Sequence, residues 1–202
     1  MIAVIDSGGA NIASVLSAFE RIGVHPVFTA DEKIIREADK VVLPGVGAAA
    51  DAMKRVRGHG LEDVIRSLTQ PVIGICVGMQ LLFTESEEGN TKTLGIFDAP
   101  VKRFPQKPGM AVPQMGWNSV RRVKDHALFH GLPDENYFYF ANSYYAPVGA
   151  YTLGQGSYAD DFTAIAGQGN FLGWQFHPER SGHVGAQIIR NFVELSAEDL
   201  AC

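Results

Sequence analysis

The first half of the chain alternates short apolar runs with stretches of helical period. "IAVI" (2–5) is an unbroken apolar run of strand length. Residues 11–22 then place Ile12, Val15, Leu16, Phe19 and Ile22 on one stripe, the spacing of a helix face. "HPVFT" (25–29) and "KVVL" (40–43) predict a second and a third strand, and residues 48–57 and 61–68 predict helices. "PVIGI" (71–75) predicts a fourth strand, and "CVGMQLLFTES" (76–86) a helix directly after it. Such alternation predicts a parallel sheet with helices on both faces. Strands that are apolar without a break predict a sheet buried on both sides.

From about residue 95 the texture changes. "FPQKPGMAVPQMGWNSV" (104–120) is rich in Pro and Gly and reads as loop. "YFYF" (137–140), "YTLGQGSYA" (151–159), "FTAIA" (162–166) and "FLGWQF" (171–176) read as strands joined by tight turns, and so as antiparallel. Residues 183–195 predict a closing helix. No repeat or linker divides the chain. The expectation is one α/β domain over residues 1–202, with a mostly parallel central sheet, helices on both faces and an antiparallel strand addition.

Composition narrows the function classes. At 202 residues the chain can bury a sizeable core without disulfides or metal. The formal charge is −5 and no Lys/Arg cluster is present, which argues against nucleic acid or an anionic membrane as partner. No apolar run reaches the ~18 residues of a membrane span, and "MIAVIDSGGA" does not read as a signal peptide. Two cysteines, Cys76 and the terminal Cys202, make no disulfide framework and point to the cytoplasm. Without H-x-H or H-E-x-x-H spacing, neither a metal nor another cofactor is expected.

Chemistry concentrates at "GICVG" (74–78), a G-x-C-x-G that follows a predicted buried strand and opens a predicted helix. This is the setting of a nucleophile elbow. A sharp turn holds the nucleophile in a strained conformation, and Gly74 and Gly78 remove side chains that would clash. The sulfur then projects at the carboxyl end of the sheet, where open α/β sheets bind ligands. A helix N-terminus there favours a thiolate, and the Val77 N–H could hold an oxyanion. The competing reading is a buried structural cysteine. A nucleophile of this type needs a base and a group to orient it. In "WQFHPER" (174–180), His177 follows an apolar strand, Pro178 stops the ladder, and Glu179 can turn back onto the imidazole. Taken alone, "HPE" also fits an ordinary solvated turn. His25, His59, His126, His130 and His183 fall in polar or loop contexts and read as surface residues. The Gly-rich loop in "LPGVGAAA" (43–50) could offer N–H groups to an oxyanion or a phosphate, although it lacks the ending of a P-loop.

"PGVGA", "GICVGMQLLFTESEEG", "MGWNSV", "NSYYA" and "GWQFHPERSG" occur in this order. Together they resemble class I (triad-type) glutamine amidotransferases, and among these the glutaminase subunits of imidazole glycerol phosphate synthase. "VIDSGGANIASV" is similar to the N-terminal segment of those subunits. "GxCxGxQ" and "HPE" identify the superfamily; "PGVG", "SEEG" and "MGWN" select the subfamily. The resemblance implies that Cys76 attacks the side-chain amide of glutamine. His177 serves as base and then acid, and Glu179 orients it. Val77, with Val46 and Gly47 of the "PGVG" loop, would hold the oxyanion. Gln80 and Glu88 would contact glutamine, as would Ser143 and Tyr144. The implied partner is a (β/α)₈-barrel cyclase subunit in a heterodimer. That subunit takes the ammonia to make imidazole glycerol phosphate and an aminoimidazole carboxamide ribotide. Asn11, Trp117, Tyr139 and Arg180 are implied interface residues. Family activation by partner and nucleotide implies reordering of the "PGVG" loop.

The chain departs from the family pattern at Gln114 and Asn142, where His is common, and at Ser7, where Tyr is frequent. None of these is in the triad. Two further readings are a glutaminase of another class I system, such as anthranilate synthase, and a non-catalytic α/β protein with a reactive Cys. "MGWN" and "SEEG" count against the first, and the Cys76, His177 and Glu179 set against the second.

Overall fold

The apolar runs of the first half become β1 (Ile2–Ile5), β2 (Val27–Thr29), β3 (Lys40–Gly45) and β4 (Val72–Cys76). Between them lie α1 (Ile12–Glu20), α2 (Glu32–Glu37), α3 (Ala49–Gly58) and α4 (Glu62–Arg66). β4 runs directly into α5 (Val77–Gln80). The rest is mostly strand: β5 (Phe83–Ser86), β6 (Thr91–Lys92), β7 (Phe97–Arg103), β8 (Gln114–Arg122), β9 (Glu135–Asn142) and β10 (Tyr144–Tyr145) come first. β11 (Thr152–Ser157), β12 (Asp161–Gln168) and β13 (Phe171–Trp174) follow, and α6 (Gly182–Glu194) comes near the end. The computed structural model describes residues 1–8, 11–196 and 198–200. Cys202, and Gly9 and Ala10 of "VIDSGGANIASV", lie outside the described residues.

Among the described residues, nine strands form one sheet in the order β2-β1-β3-β4-β13-β12-β11-β8-β9. The five strands from β2 to β13 run parallel, and β12, β11, β8 and β9 add on antiparallel. The chain moves from β1 to β2, then back across β1 to β3. Right-handed crossovers therefore put α1 on one face and the helices of the next connections on the other. β1 and β4 are buried at every residue. A second sheet, β10-β7-β5-β6, packs beside the first through an aromatic cluster in which the Phe83 ring stands 5.2 Å from Tyr151.

Two expectations give way to tertiary pairing. The helix expected over 76–86 lasts one turn. Leu81, Leu82 and Phe83 are all buried, and Phe83 begins a strand opposite Phe97 instead of continuing the helix. The Pro/Gly-rich stretch 104–120 is not loop to its end. From Gln114 it forms β8, which pairs with β9 from Gln114↔Asn142 to Arg121↔Glu135. The 30–39 stretch holds α2, started by Asp31, whose carboxylate accepts from the N–H groups of Lys33 and Ile34.

Candidate active site

Three glycines make the turn at Cys76 possible. A Cβ on Gly78 would lie 1.8 Å from the Leu43 carbonyl oxygen, and one on Gly45 would lie 2.3 Å from the Gly78 nitrogen. A Cβ on Gly74 would lie 2.6 Å from the Gly78 oxygen. The ends of β3 and β4 and the start of α5 thus approach at backbone distance. Cys76 takes φ 54° and ψ −113°, a strained conformation for a residue with a side chain, which costs ~1–3 kcal/mol. The surrounding glycine contacts hold it there.

His177 reaches the same point from the next strand. β13 lies parallel to β4, with Trp174 opposite Ile75, so the chain leaves β13 at the level of Cys76. Trp174 and Phe176 are fully buried, and Phe176 stacks on Phe138 at 3.9 Å. Each such aromatic contributes roughly 1.5–3 kcal/mol of burial and anchors the segment. The His177 N–H donates to the Tyr139 carbonyl, and Ser181 Oγ donates to the His177 carbonyl. His177 Nδ1 lies 2.9 Å from Glu179 Oε1, which leaves Nε2 to face the sulfur. Burial disfavours the imidazolium. Hydrogen bonds that the imidazolium donates to Cys76 and Glu179, and the negative charge of both, overcome that and raise the His177 pKa to about 10. The Glu179 side chain is buried, and among the described residues its Oε2 has no hydrogen-bond partner.

A cavity of about 220 Å³ opens beside Cys76. Gly47, Val77, Gln80, Glu88, Ser143 and Tyr144 line it, so six predicted oxyanion and substrate residues converge there. Val77 opens α5, where an N–H has no intrahelical partner. Val46 faces a separate crevice shared with Asn11 and His177. Glu88 reaches across to accept from the Ala49 N–H at 2.7 Å, at the start of α3. A larger open groove of about 520 Å³, beside Arg122, His126 and His130, holds none of the predicted residues.

The four interface candidates separate. Trp117, on β8, is 56% exposed and meets Tyr139, on β9, edge to face at 6.2 Å. The Arg180 guanidinium lies 4.0 Å from the centre of the Tyr139 ring. Met115 and Tyr137, which the sequence did not single out, extend this exposed apolar face. Their alternation on β8 and β9 was the available signal, hidden while 104–120 read as loop. Asn11 donates to Glu179 Oε1 at 2.7 Å and so lies beside His177 and Glu179. Among the departures, Ser7 donates to the Pro44 carbonyl, and Gln114 Nε2 donates to Asn142 Oδ1 at 3.1 Å. His126, read as a surface residue, is half-buried and accepts from the Leu128 N–H; burial lowers its pKa. Gln175 is fully buried beside Cys76 and was not singled out either.

A Cys–His–Glu line with a polar cavity at the nucleophile suits acyl transfer from a small polar substrate. No group of three or more His, Cys, Asp or Glu side chains among the described residues could hold a metal ion. No described helix is long and apolar enough to cross a membrane. A model of the glutamine amidotransferase class-I family matches residues 3–195. The imidazole glycerol phosphate synthase subunit HisH of Yersinia pestis is 47% identical over 195 residues, 96% of this chain and 99% of its own length. The subunit HisH of Bacteroides thetaiotaomicron is 45% identical over the same shares. A solved glutamine amidotransferase structure superposes with a TM-score of 0.73 at 20% identity, covering 96% of this chain and 97% of that one. The structure of PurLQS from Thermotoga maritima gives 0.71 at 15% identity, covering 95% and 96%. These last two speak to the fold.

Proposed function

The chain belongs to the class I glutamine amidotransferases, and within them to the imidazole glycerol phosphate synthase subunits HisH; on that premise we propose that Cys76, His177 and Glu179 hydrolyse glutamine to glutamate and ammonia. His177 clasped between Cys76 and Glu179 is the observation that carries this reading.

The Cys76 thiolate adds to the side-chain amide carbon of glutamine. The carbonyl oxygen becomes an oxyanion, received by the Val77 N–H and by N–H groups of the 46–47 loop. The His177 imidazolium gives its proton to the amide nitrogen, the C–N bond breaks and ammonia leaves. Neutral His177 then takes a proton from water, whose oxygen adds to the thioester carbon. The C–S bond breaks, the new carboxylic acid gives its proton to solvent and leaves as glutamate, and the thiolate–imidazolium pair is restored. Gln80, Glu88, Ser143 and Tyr144 hold the substrate's other polar groups. Glu179 keeps Nε2 aimed at the sulfur, and Asn11 holds Glu179.

Ammonia passes to a (β/α)₈-barrel cyclase subunit, which makes imidazole glycerol phosphate and aminoimidazole carboxamide ribotide in histidine biosynthesis. The exposed face of Met115, Trp117, Tyr137 and Tyr139 with Arg180 supports docking beside the triad, since apolar patches of this kind mark interfaces. With only two cysteines in the chain, we place the complex in the cytoplasm.

The test uses the complex with the cyclase subunit and its nucleotide substrate. Cys76→Ala abolishes glutamine-dependent turnover and leaves ammonia-dependent turnover in place. Equal loss of both would make Cys76 structural and overturn the reading.

A further inference from the structure

Gln175 takes no part in the chemistry above, yet it is fully buried against the nucleophile. Burying an amide is costly unless its groups are bonded. An apolar side chain of similar length would fill this space without that cost. Gln175 Nε2 donates to Cys76 Sγ at 3.8 Å, and its Oε1 accepts from Gln80 Nε2 at 2.9 Å.

The orientation of this amide is fixed by what surrounds it. Gln80 Nε2 also donates to the Tyr144 carbonyl at 3.0 Å. A carbonyl can only accept, so the Gln80 nitrogen must face it. Both Gln80 N–H groups are then used, and only its Oε1 is left to meet a ligand. Gln175 must therefore turn its oxygen to Gln80 and its nitrogen to the sulfur. The same carbonyl accepts from Asn142 Nδ2 at 2.9 Å. Asn142 Oδ1 accepts from Gln114 Nε2, and Gln114 Oε1 accepts from Asn118 Nδ2 at 2.7 Å. Asn118 Nδ2 is itself fixed by the Ser157 carbonyl at 2.9 Å. Two runs of side-chain amides thus meet at the Tyr144 carbonyl, which accepts from both. One comes from β8 and β9 through Asn118, Gln114 and Asn142. The other starts at Gln80, which also donates to Gln175 and through it reaches the nucleophile. Gln114 and Asn142, two of the departures from the family pattern, are links in the run from β8 and β9.

We propose that Gln175 is a further catalytic residue, an N–H donor that holds the Cys76 sulfur as thiolate alongside His177. An N–H aimed at the sulfur stabilises negative charge there; a flipped amide would present an oxygen and oppose it. This rests on Cys76 being the nucleophile. It makes the N–H of Gln175 serve the resting thiolate and its re-formation at thioester breakdown, and not the capture of glutamine.

The test compares the wild-type chain with Gln175→Met, each in complex with the cyclase subunit. The glutamine-dependent kcat should fall about 10- to 100-fold, the loss of one hydrogen bond to a charged group, with KM little changed. Iodoacetamide should alkylate Cys76 about tenfold more slowly at pH 7, while ammonia-dependent turnover reports an intact complex. A raised KM with an unchanged alkylation rate would overturn the proposal, and Gln175 would then only position Gln80. If Gln175→Met does not fold, the side-chain amide resonances of Gln175 serve in its place. They should move in Cys76→Ala, and unmoved resonances would overturn the proposal. Cys76→Ala in the same turnover assay separates the two layers. Retained glutamine turnover there removes the nucleophile itself. Lost turnover there, with Gln175→Met unaffected, removes only the role of Gln175.

Discussion

Replacing the sulfur at position 76 should release the proton that His177 holds. The His177 pKa stands at about 10, against an ordinary value of 6.5. Burial alone would lower it. Four influences raise it: hydrogen bonds to Cys76 and Glu179, and the charge of each. Cys76 supplies two of the four, including the largest. Cys76→Ala removes these and leaves the burial in place. His177 should therefore lose much of its rise and titrate clearly below about 10. The stability that follows has a definite sign. The folded value lies above the unfolded one, so the His177 contribution is fully present below about 6.5 and is lost as pH rises through about 10. In Cys76→Ala that loss should be complete at a lower pH than in the wild type. Long-range ¹H–¹⁵N spectra of the imidazole read the pKa, and urea unfolding between pH 6 and 10 reads the stability. A His177 still titrating near 10 in Cys76→Ala would refute the sulfur as its partner. A wild-type value near 6.5 would refute the clasped triad.

Asn11→Ala removes the donor to Glu179 Oε1 and should lower the glutamine-dependent kcat of the complex about 10- to 100-fold. Steady-state kinetics check it, and an effect confined to partner affinity would make Asn11 an interface residue only. Gly78→Ala puts a methyl 1.8 Å from the Leu43 oxygen, where both neighbours are backbone, and should destabilise the isolated chain by about 3 kcal/mol or more. A urea midpoint equal to wild type would show that the turn can spread.

What the sequence made legible was local. Apolar runs marked β1, β3 and β4, because a strand buried on both faces has no polar positions to confuse it. Gly74 and Gly78 marked the elbow, because the close approach leaves no room for a Cβ. Pairing over long sequence separations was hidden. Phe83 and Gln114 start strands because Phe97 and Asn142 lie opposite them, and nothing within ten residues says so. Val77, Gln80 and Glu88 share a cavity with Ser143 and Tyr144 only once the sheets are assembled. Gln175 escaped notice because a single buried amide looks like any other polar residue. Its meaning lies in Gln80, Tyr144 and Cys76, which are distant along the chain. Asn11 was placed at the interface by its motif, and only the folded chain turns it onto Glu179.

The glycine contacts at the elbow also decide how the neighbouring loop can move. Pro44 is tied from below by the Ser7 hydroxyl, and Gly45 is wedged against the Gly78 backbone. Four residues later, the Ala49 N–H is clamped by Glu88. Between the two anchors lie only Val46, Gly47 and Ala48, with Gly47 at φ +85°. A segment so short cannot swing as a lid. Any rearrangement that leaves both anchors in place must be a rotation of peptide planes, with a carbonyl and an N–H exchanging directions over three residues. An activating partner would then act on the loop as on a toggle, with almost no change in the outline of the subunit.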